Sequence, residues 1–219
     1  RVLLSWVASL KDLRLFGKTD LPSIYDVVKS GRLTVFDLSN EVDLKKKQII
    51  VSYFASKLFY ERKSGKVPPF LLVVEESHQF APEKTREESA ISKRIIETIA
   101  REGRKFGACL CLVSQRPINL STTALSQCSS HLILRITNPY DLKHIGESSE
   151  GLDGKSLEMI TSLSVGEAVL VGEAVNYPVF FKVRKNRSPE SRHEISLEDA
   201  AIAFEKQKEE IEEEAKEFL

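Results

Sequence analysis

Residues 70–80 read F-L-L-V-V-E-E-S-H-Q-F, and this stretch decides how the rest of the chain is interpreted. Five apolar residues run without interruption into two adjacent glutamates, Glu75 and Glu76. A short continuous apolar run is typical of a strand that is covered on both faces. Buried carboxylates are costly unless compensated, and open α/β sheets bind ligands beyond the carboxyl ends of their strands. The stretch therefore indicates either a functional strand end or a strand that ends in two exposed surface glutamates.

Strand-like and helix-like segments alternate on both sides of this stretch. Short apolar runs predict strands at residues 33–38, 70–75, 108–114, 131–136, 168–171 and 179–183. Helical spacing of apolar residues, together with capping residues, predicts helices at residues 43–62, 87–105, 121–127, 139–145 and 197–218. Such alternation is typical of an α/β fold, so we expect a mostly parallel sheet flanked by helices.

Charge divides the chain unevenly although the net charge is zero. The 219 residues carry 32 basic and 32 acidic side chains, but residues 190–219 contain 11 acidic and only four basic ones. We expect a core domain at residues 1–187, followed by a linker and an acidic C-terminal helix at residues 188–219. The positive charge left on the body suits phosphates or nucleic acid, although a solvated surface explains it equally well.

The cysteines and the first residue bear on the origin of the chain. Three cysteines, two of them inside the apolar run 108–114, indicate buried free thiols in a reducing, cytoplasmic compartment. No apolar run approaches the roughly 20 residues that a membrane-spanning helix needs. Because the chain starts at Arg1 and its only methionine is Met159, we expect it to be a piece of a longer protein.

The acidic pair has the residue types that nucleotide hydrolysis requires. A carboxylate at a strand end can hold Mg²⁺, usually through water, and the next residue can polarise an attacking water molecule. Glu75 is therefore the candidate acid on the Mg²⁺ side and Glu76 the candidate general base. Gln115 follows the next predicted strand, where its amide can contact a γ-phosphate. The alternative for Gln115 is a polar strand end before a proline turn.

Basic residues end the predicted helix between these two strands. Arg101 and Arg104 lie three positions apart and so share a helix face. Either could be an arginine finger, which enters a neighbouring subunit's site and stabilises charge on the transferring phosphoryl group. The alternative is the ordinary preference of cations for a helix C-terminus. From His78 we expect only a turn-stabilising hydrogen bond, since no second histidine lies at metal-ligand spacing.

One triplet imitates the phosphate-binding loop that such a site needs upstream of its acids. Gly17, Lys18 and Thr19 match the end of the fingerprint G-x-x-x-x-G-K-[ST], but Asp12 stands where the first glycine belongs. The residues before the triplet have a helical pattern, whereas the fingerprint follows a strand. We therefore expect no phosphate-binding loop within these residues, and we expect this chain alone to bind ATP poorly and not to hydrolyse it at a useful rate.

The order of several motifs resembles one family of motor proteins. The motifs are L-L-V-V-E-E-S-H-Q-F-A-P, A-R-E-G-R-K-F-G, L-V-S-Q-R-P-I-N-L-S and L-S-Q-C-S-S-H-L-I-L-R-I-T-N-P-Y-D. Over roughly residues 1–187 the chain is similar to the HerA family of archaeal hexameric DNA translocases, in the HerA/FtsK branch of P-loop ATPases. The resemblance implies a RecA-like ATPase core, a homo-hexamer, and ATP and Mg²⁺ as cofactors. It also implies double-stranded DNA as substrate and a NurA-type nuclease as partner in DNA-end resection.

The resemblance also implies a role for each candidate residue. By position, Glu75 matches the metal-side acid, Glu76 the catalytic glutamate and Gln115 the phosphate sensor. Arg101 best matches the arginine finger, with Arg104 second. Two other interpretations stay open: an inactive module that retains interaction surfaces, and a motor of the conjugation or DNA-packaging type. Without nucleotide, solvent should relieve the repulsion between the two glutamates, so we expect at least one to be exposed.

Overall fold

The computed structural model describes residues 22–83, 90–149, 151–188 and 196–217. In chain order the helices and strands are α1 (Ile24–Val27), α2 (Leu44–Lys63), β1 (Phe70–Val74), α3 (Ser77–Phe80), α4 (Lys93–Phe106), β2 (Ala108–Leu112), α5 (Thr122–Ser126), β3 (Ser130–Leu134), α6 (Pro139–Ser148), α7 (Gly154–Ser162), β4 (Glu167–Gly172), β5 (Val179–Lys182) and α8 (Leu197–Glu217). The chain divides into two compact units, Arg1–Lys182 and Val183–Leu219. The expected boundary at residue 187 stays a prediction about domain organisation.

Strands β1 and β2 form a parallel sheet that carries the acidic pair. Its register runs from Phe70 opposite Ala108 to Val74 opposite Leu112. Helices α2 and α4 both cover one face of this sheet, and their buried residues form a cluster there: Ala55, Phe59, Ile95 and Ile99. A helix that follows one parallel strand and leads into the next is the βαβ arrangement. The expected α/β class, with a parallel sheet flanked by helices, is confirmed.

The opposite face of the β1–β2 sheet is not covered by any helix of the described residues. Leu71 and Val73 alternate with the covered positions and are 61% and 50% exposed. On β2, Cys109 is exposed and Cys111 is partly buried, and both thiols are free. The expectation that these thiols are buried is therefore wrong for Cys109. Alternate residues of a strand face opposite sides of the sheet, and Cys109 faces away from the two helices.

Strand β3 pairs with β4 rather than with β1 or β2. It is antiparallel to β4, which is in turn antiparallel to β5, giving a second sheet in the order β3–β4–β5. A strand near residues 131–136 is confirmed, but its membership of a parallel sheet is corrected. Two helices, α6 and α7, separate β3 from β4, whereas a βαβ unit has one helix between its strands. The additional helix reverses the chain once more, so β4 runs antiparallel to β3.

Residues 33–38 are not a strand, which corrects the prediction for this segment. Leu33 and Val35 are 86% and 74% exposed, and within the described residues no strand pairs with the segment. An apolar pattern favours a strand, but a neighbouring strand has to supply the hydrogen bonds. Phe36 contacts α2 through Phe54, with ring centroids 4.4 Å apart.

Three helices begin where the capping residues of the sequence place them. The side chains of Asp43, Ser121 and Asn138 accept hydrogen bonds from backbone amides in the first turns of α2, α5 and α6. Helix α4 begins at Lys93, so the prediction of helix over residues 87–105 is wrong for residues 90–92, and its residues 87–89 lie outside the described residues. Gly107 ends α4 in the left-handed conformation, at φ 69°, and β2 begins at the next residue.

The second compact unit contains helix α8, which was expected at residues 197–218. Ser196 accepts a hydrogen bond of 3.0 Å from the amide of Asp199 through its hydroxyl, as an N-terminal cap does. Leu197 and Phe204 of this helix are 90% and 68% exposed. Each described helix of the chain is too short or too polar to cross a membrane.

Candidate active site

The carboxyl edge of the β1–β2 sheet brings three of the five candidate residues together. Glu75 and Glu76 follow β1 directly, and Gln115 lies three residues beyond the end of β2. Because Val74 is opposite Leu112 in a parallel pair, both strand ends lie at the same edge. Glu75 and Gln115 are exposed, and the side chain of Glu76 is 44% exposed. The expectation that at least one glutamate is exposed is confirmed.

Hydrogen bonds fix the turn after β1 to the end of β2. The amide of Val113 donates to the carbonyl oxygen of Val74 at 3.0 Å, which continues the ladder past the last strand residue. Ser77, which is fully buried, then donates to the carbonyl oxygen of Val113 from its amide at 2.9 Å and from its hydroxyl at 3.0 Å. These bonds satisfy the buried polar groups of Ser77 and hold the two acids beside the neighbouring strand end.

Glu76 has an unusual backbone conformation at the first turn of α3. Its φ and ψ are 47° and 41°, and it is the only non-glycine residue with positive φ in the described parts of the chain. The left-handed region costs an L-residue about 1–2 kcal/mol. Such strain persists only where surrounding contacts impose it, and it is concentrated at functional sites. The Ser77 bonds are contacts of this kind.

His78 connects Glu76 to the end of β2. Its Nδ1 atom lies 3.0 Å from the hydroxyl of Ser114 and 3.5 Å from Oε2 of Glu76. The Ser114 hydroxyl also accepts a hydrogen bond of 3.0 Å from the amide of Arg116. The sequence predicts only a turn-stabilising bond for His78, so its position between the acid and the β2 end is a finding of the tertiary structure.

Further side chains brace the loop that carries Gln115. The amide of Ile118 donates to the carboxylate of the buried Asp141 at 3.0 Å. Glu83 accepts hydrogen bonds from the amide and the hydroxyl of Thr122 at 2.5 and 2.8 Å. Partial burial acts to raise the pKa of Glu83, but the two Thr122 bonds, with help from Lys93, outweigh it and hold the pKa below its usual value.

Sequence reasoning missed these bracing residues. Gln48 of α2 is another, since its side-chain amide donates to the carbonyl oxygen of Gln79 in α3 at 2.7 Å and the residue is only 3% exposed. A glutamine at an inward-facing position of an amphipathic helix was a usable signal, because a buried amide needs a partner. Glu83 and Asp141 gave no such signal, since their partners lie 39 and 23 residues away.

The two candidate arginines lie at the other edge of the sheet. Both are in the last turns of α4, which is followed at once by the start of β2. Strand β1 has five residues and therefore separates the two edges by about 16 Å at about 3.3 Å per residue. Arg104 pairs with Glu173 at 3.3 Å on the surface, whereas exposed Arg101 makes no ion pair with a described residue. Neither arginine meets Glu76 within one chain.

The acidic pair fits a metal ion that is bound mainly by other ligands. Among the described residues no group of three or more His, Cys, Asp or Glu side chains could hold a metal ion. Glu75 is exposed and makes no hydrogen bond or ion pair with a described residue, so its carboxylate is available. Mg²⁺ is commonly held by one or two carboxylates together with substrate phosphates and water, and a single free carboxylate suits that mode. The triplet Gly17-Lys18-Thr19 lies outside the described residues.

Comparison with curated proteins finds helicases. A probable helicase of Methanocaldococcus jannaschii is 36% identical over 187 residues, covering 80% of this chain and 36% of that protein. The DNA double-strand break repair helicase HerA of Saccharolobus solfataricus is 37% identical over 167 residues, covering 73% of this chain and 33% of that protein. The HerA protein of Pyrococcus furiosus is 33% identical over 188 residues, with coverages of 71% and 33%. The chain thus spans about a third of the length of these relatives. No protein-family model matches it.

Comparison with solved structures finds VirB4 and a DNA-packaging ATPase. VirB4 of Thermoanaerobacter pseudethanolicus superposes with a TM-score of 0.53 at 14% identity, covering 68% of this chain and 39% of VirB4. The DNA-packaging ATPase of Sulfolobus turreted icosahedral virus superposes with a TM-score of 0.51 at 16% identity, covering 78% of each chain. At these identities the similarity establishes the fold alone, and it confirms the expected α/β class.

Proposed function

Because this chain belongs to the HerA family of DNA helicases, we propose that it forms the hydrolytic part of an ATP-driven DNA translocase. The observation that carries the proposal is the common position of Glu75, Glu76 and Gln115 at the carboxyl edge of a parallel sheet. This is where α/β proteins bind their ligands. The relatives are helicases by name, and a genome packaging NTPase with a similar fold has been solved with ATP-γ-S.

Each residue at the edge has a distinct role in this proposal. Glu76 orients and polarises the attacking water, and its exposed carboxylate can accept the proton of that water. Gln115 donates from its side-chain amide to the γ-phosphate and so reports whether the nucleotide is intact. Glu75 would hold Mg²⁺ through water, and the ion would supply positive charge to the phosphates of the nucleotide.

The position of the arginines supports a site that two subunits share. Both arginines lie in the last two turns of α4, which leads into the sheet edge opposite the acids, and an arginine placed there suits the phosphoryl group of a neighbouring subunit. Repetition of such a head-to-tail contact closes a ring, and we propose a homo-hexamer. Arg101 is the first candidate for the finger, because Arg104 is engaged with Glu173.

The substrate and partner follow from the same family. We propose double-stranded DNA as the polymer that the ring moves along, bound mainly through its phosphates and therefore weakened by salt. A NurA-type nuclease would act on the DNA that the motor delivers during end resection. The names of the HerA relatives, which are DNA double-strand break repair helicases, support this part of the proposal.

Mixing two inactive variants of the full-length gene product tests the shared site. Glu76→Gln and Arg101→Ala should each lower the ATPase kcat at least about 100-fold, which is the typical size of a lost transition-state contact. When the two proteins are mixed in equal amounts and allowed to exchange subunits, about a quarter of the interfaces combine an intact Glu76 with an intact Arg101. ATPase activity should therefore recover to about a quarter of the wild-type value.

Matched variants make the mixing experiment decisive. Arg104→Ala in place of Arg101→Ala should keep most of the activity when tested alone. If mixing Glu76→Gln with Arg104→Ala restores ATPase activity and mixing it with Arg101→Ala does not, Arg104 is the arginine finger and Arg101 is not. If Glu76→Gln hydrolyses ATP at the wild-type rate, the proposed active site is wrong.

A further inference from the structure

His78 lies between the candidate catalytic glutamate and the end of β2, which leads into the loop that carries the candidate phosphate sensor. Its Nδ1 atom is 3.0 Å from Oγ of Ser114 and 3.5 Å from Oε2 of Glu76, and its side chain is only 16% exposed. We propose that His78 is a positioning residue that ties the Glu76 carboxylate to the end of β2. The inference rests on the proposed function, because it assumes that Glu76 orients the attacking water.

The Glu76 side chain needs such a tie. The left-handed backbone fixes where the side chain leaves the turn, but the side chain itself is 44% exposed. Within the described residues His78 is the only partner of the Glu76 carboxylate. A general base that turns freely through several rotamers rarely points at its water molecule, and misplacement by about 1 Å can cost about 100-fold in rate.

The tautomer of His78 follows from its neighbours. If Nδ1 carried a lone pair, that lone pair would face the lone pairs of Oε2 of Glu76, 3.5 Å away, and be repelled by them. The carboxylate therefore favours the tautomer in which Nδ1 carries the proton, and this N–H donates to the Ser114 hydroxyl at 3.0 Å while Oε2 of Glu76 lies beside it at 3.5 Å. The Ser114 hydroxyl also accepts the amide proton of Arg116 at 3.0 Å.

The consequence is a connection between the two halves of the site. Gln115 lies between Ser114, which His78 contacts, and Arg116, whose amide bonds to Ser114. When Gln115 shifts in response to the γ-phosphate, the displacement reaches Ser114 and, through His78, the Glu76 carboxylate. The alignment of the glutamate would thus depend on the position of the sensor loop, which links hydrolysis to the contact between Gln115 and the nucleotide.

A pair of variants separates positioning from mere support of the turn. His78→Asn places a side-chain amide N–H close to the position of Nδ1, whereas His78→Gln places it close to Nε2. In the full-length gene product, the Asn variant should keep kcat for ATP within about threefold of wild type. The Gln variant should lose about tenfold or more in kcat, the low end of the range for misaligned catalytic groups, with KM for ATP changed less than about twofold.

Each other outcome overturns the positioning role. Equal kcat values for the Asn and Gln variants would show that the Nδ1 donor does not matter. Unfolding of both variants, or a parallel change of kcat and KM, would make His78 a structural residue only. The Glu76→Gln variant separates the two proposals: if it loses activity while the two His78 variants are alike, only the role of His78 is wrong.

Discussion

Ser77 donates two hydrogen bonds to one acceptor, the carbonyl oxygen of Val113, at 2.9 Å from its amide and at 3.0 Å from its hydroxyl. This pair of bonds joins the turn after β1 to the end of β2. It places Glu76 in the left-handed conformation and sets the distance between the acids and the loop of Gln115. A carbonyl oxygen has two lone pairs, so both bonds can be made without competition.

The Glu83 carboxylate should make stability depend on acidic pH. Its pKa in the folded chain lies below the unfolded value of about 4.5, despite partial burial, because Thr122 donates two hydrogen bonds to it. A lowered pKa means that the stabilisation is present above the unfolded value and is lost as the pH falls through the folded value. Glu83→Gln should therefore cost about 1 kcal/mol at pH 7 and less at pH 3.5.

Urea unfolding of the wild-type chain and of Glu83→Gln between pH 7 and pH 3.5 measures this dependence of stability on pH. Glu147→Gln is the control, because Glu147 forms only an exposed pair with Lys143 at 3.8 Å, and such pairs contribute little. An unchanged acid dependence in the Glu83 variant would contradict the assignment of these hydrogen bonds.

The close contact between α4 and β2 should make Gly103 intolerant of any side chain. A Cβ atom at Gly103 would lie 2.1 Å from the carbonyl oxygen of Ala108, which belongs to the backbone and cannot move aside cheaply. We expect Gly103→Ala to destabilise the chain by about 2 kcal/mol or more. Gly154→Ala is the matched control, since nothing lies within 4 Å of its Cβ position, and it should stabilise by up to about 1 kcal/mol. Thermal unfolding distinguishes the two, and similar melting temperatures would refute the close approach.

Because the backbone of Glu76 is left-handed, glycine at this position should give a more stable protein than alanine, which is the reverse of the usual order. Glu76→Ala and Glu76→Gly both remove the carboxylate, so the difference between their free energies of unfolding reports the backbone conformation alone. At φ 47° glycine is free of the Cβ clash, and Glu76→Gly should be more stable than Glu76→Ala by about 1 kcal/mol. At Tyr53, an exposed position inside α2, alanine should be favoured by about the same amount. Denaturant unfolding of the four variants measures the difference between alanine and glycine at each position. If the alanine variant is the more stable one at both positions, the turn at Glu76 is not strained.

Local signals in the sequence were sufficient for much of the candidate site. The apolar run before Glu75 and Glu76 predicted a strand that ends at the acids, and the run before Gln115 predicted its neighbour. Parallel pairing of two such strands then placed these residues at one edge without any knowledge of side-chain contacts. The helix caps Ser121 and Asn138 were also predictable, because a cap acts within three residues of its own position.

Other features had no local cause. Residues 33–38 have a strand-like pattern but no partner strand in the described residues, and β3 pairs antiparallel although its sequence resembles that of a buried parallel strand. Strand pairing is decided by which segments the intervening helices bring side by side. A pattern that repeats every two residues contains no information about that choice.

By itself, then, the sequence determined which chemical groups stand at the end of β1 and β2, because strand periodicity and side-chain chemistry are local properties. Only the tertiary structure decided which contacts the segment F-L-L-V-V-E-E-S-H-Q-F makes with the end of β2. Its Ser77 bonds to Val113, its Glu76 is turned into the left-handed region, and its His78 reaches Ser114. These contacts join residues 36 positions apart, and they exist because two parallel strands lie side by side in the fold.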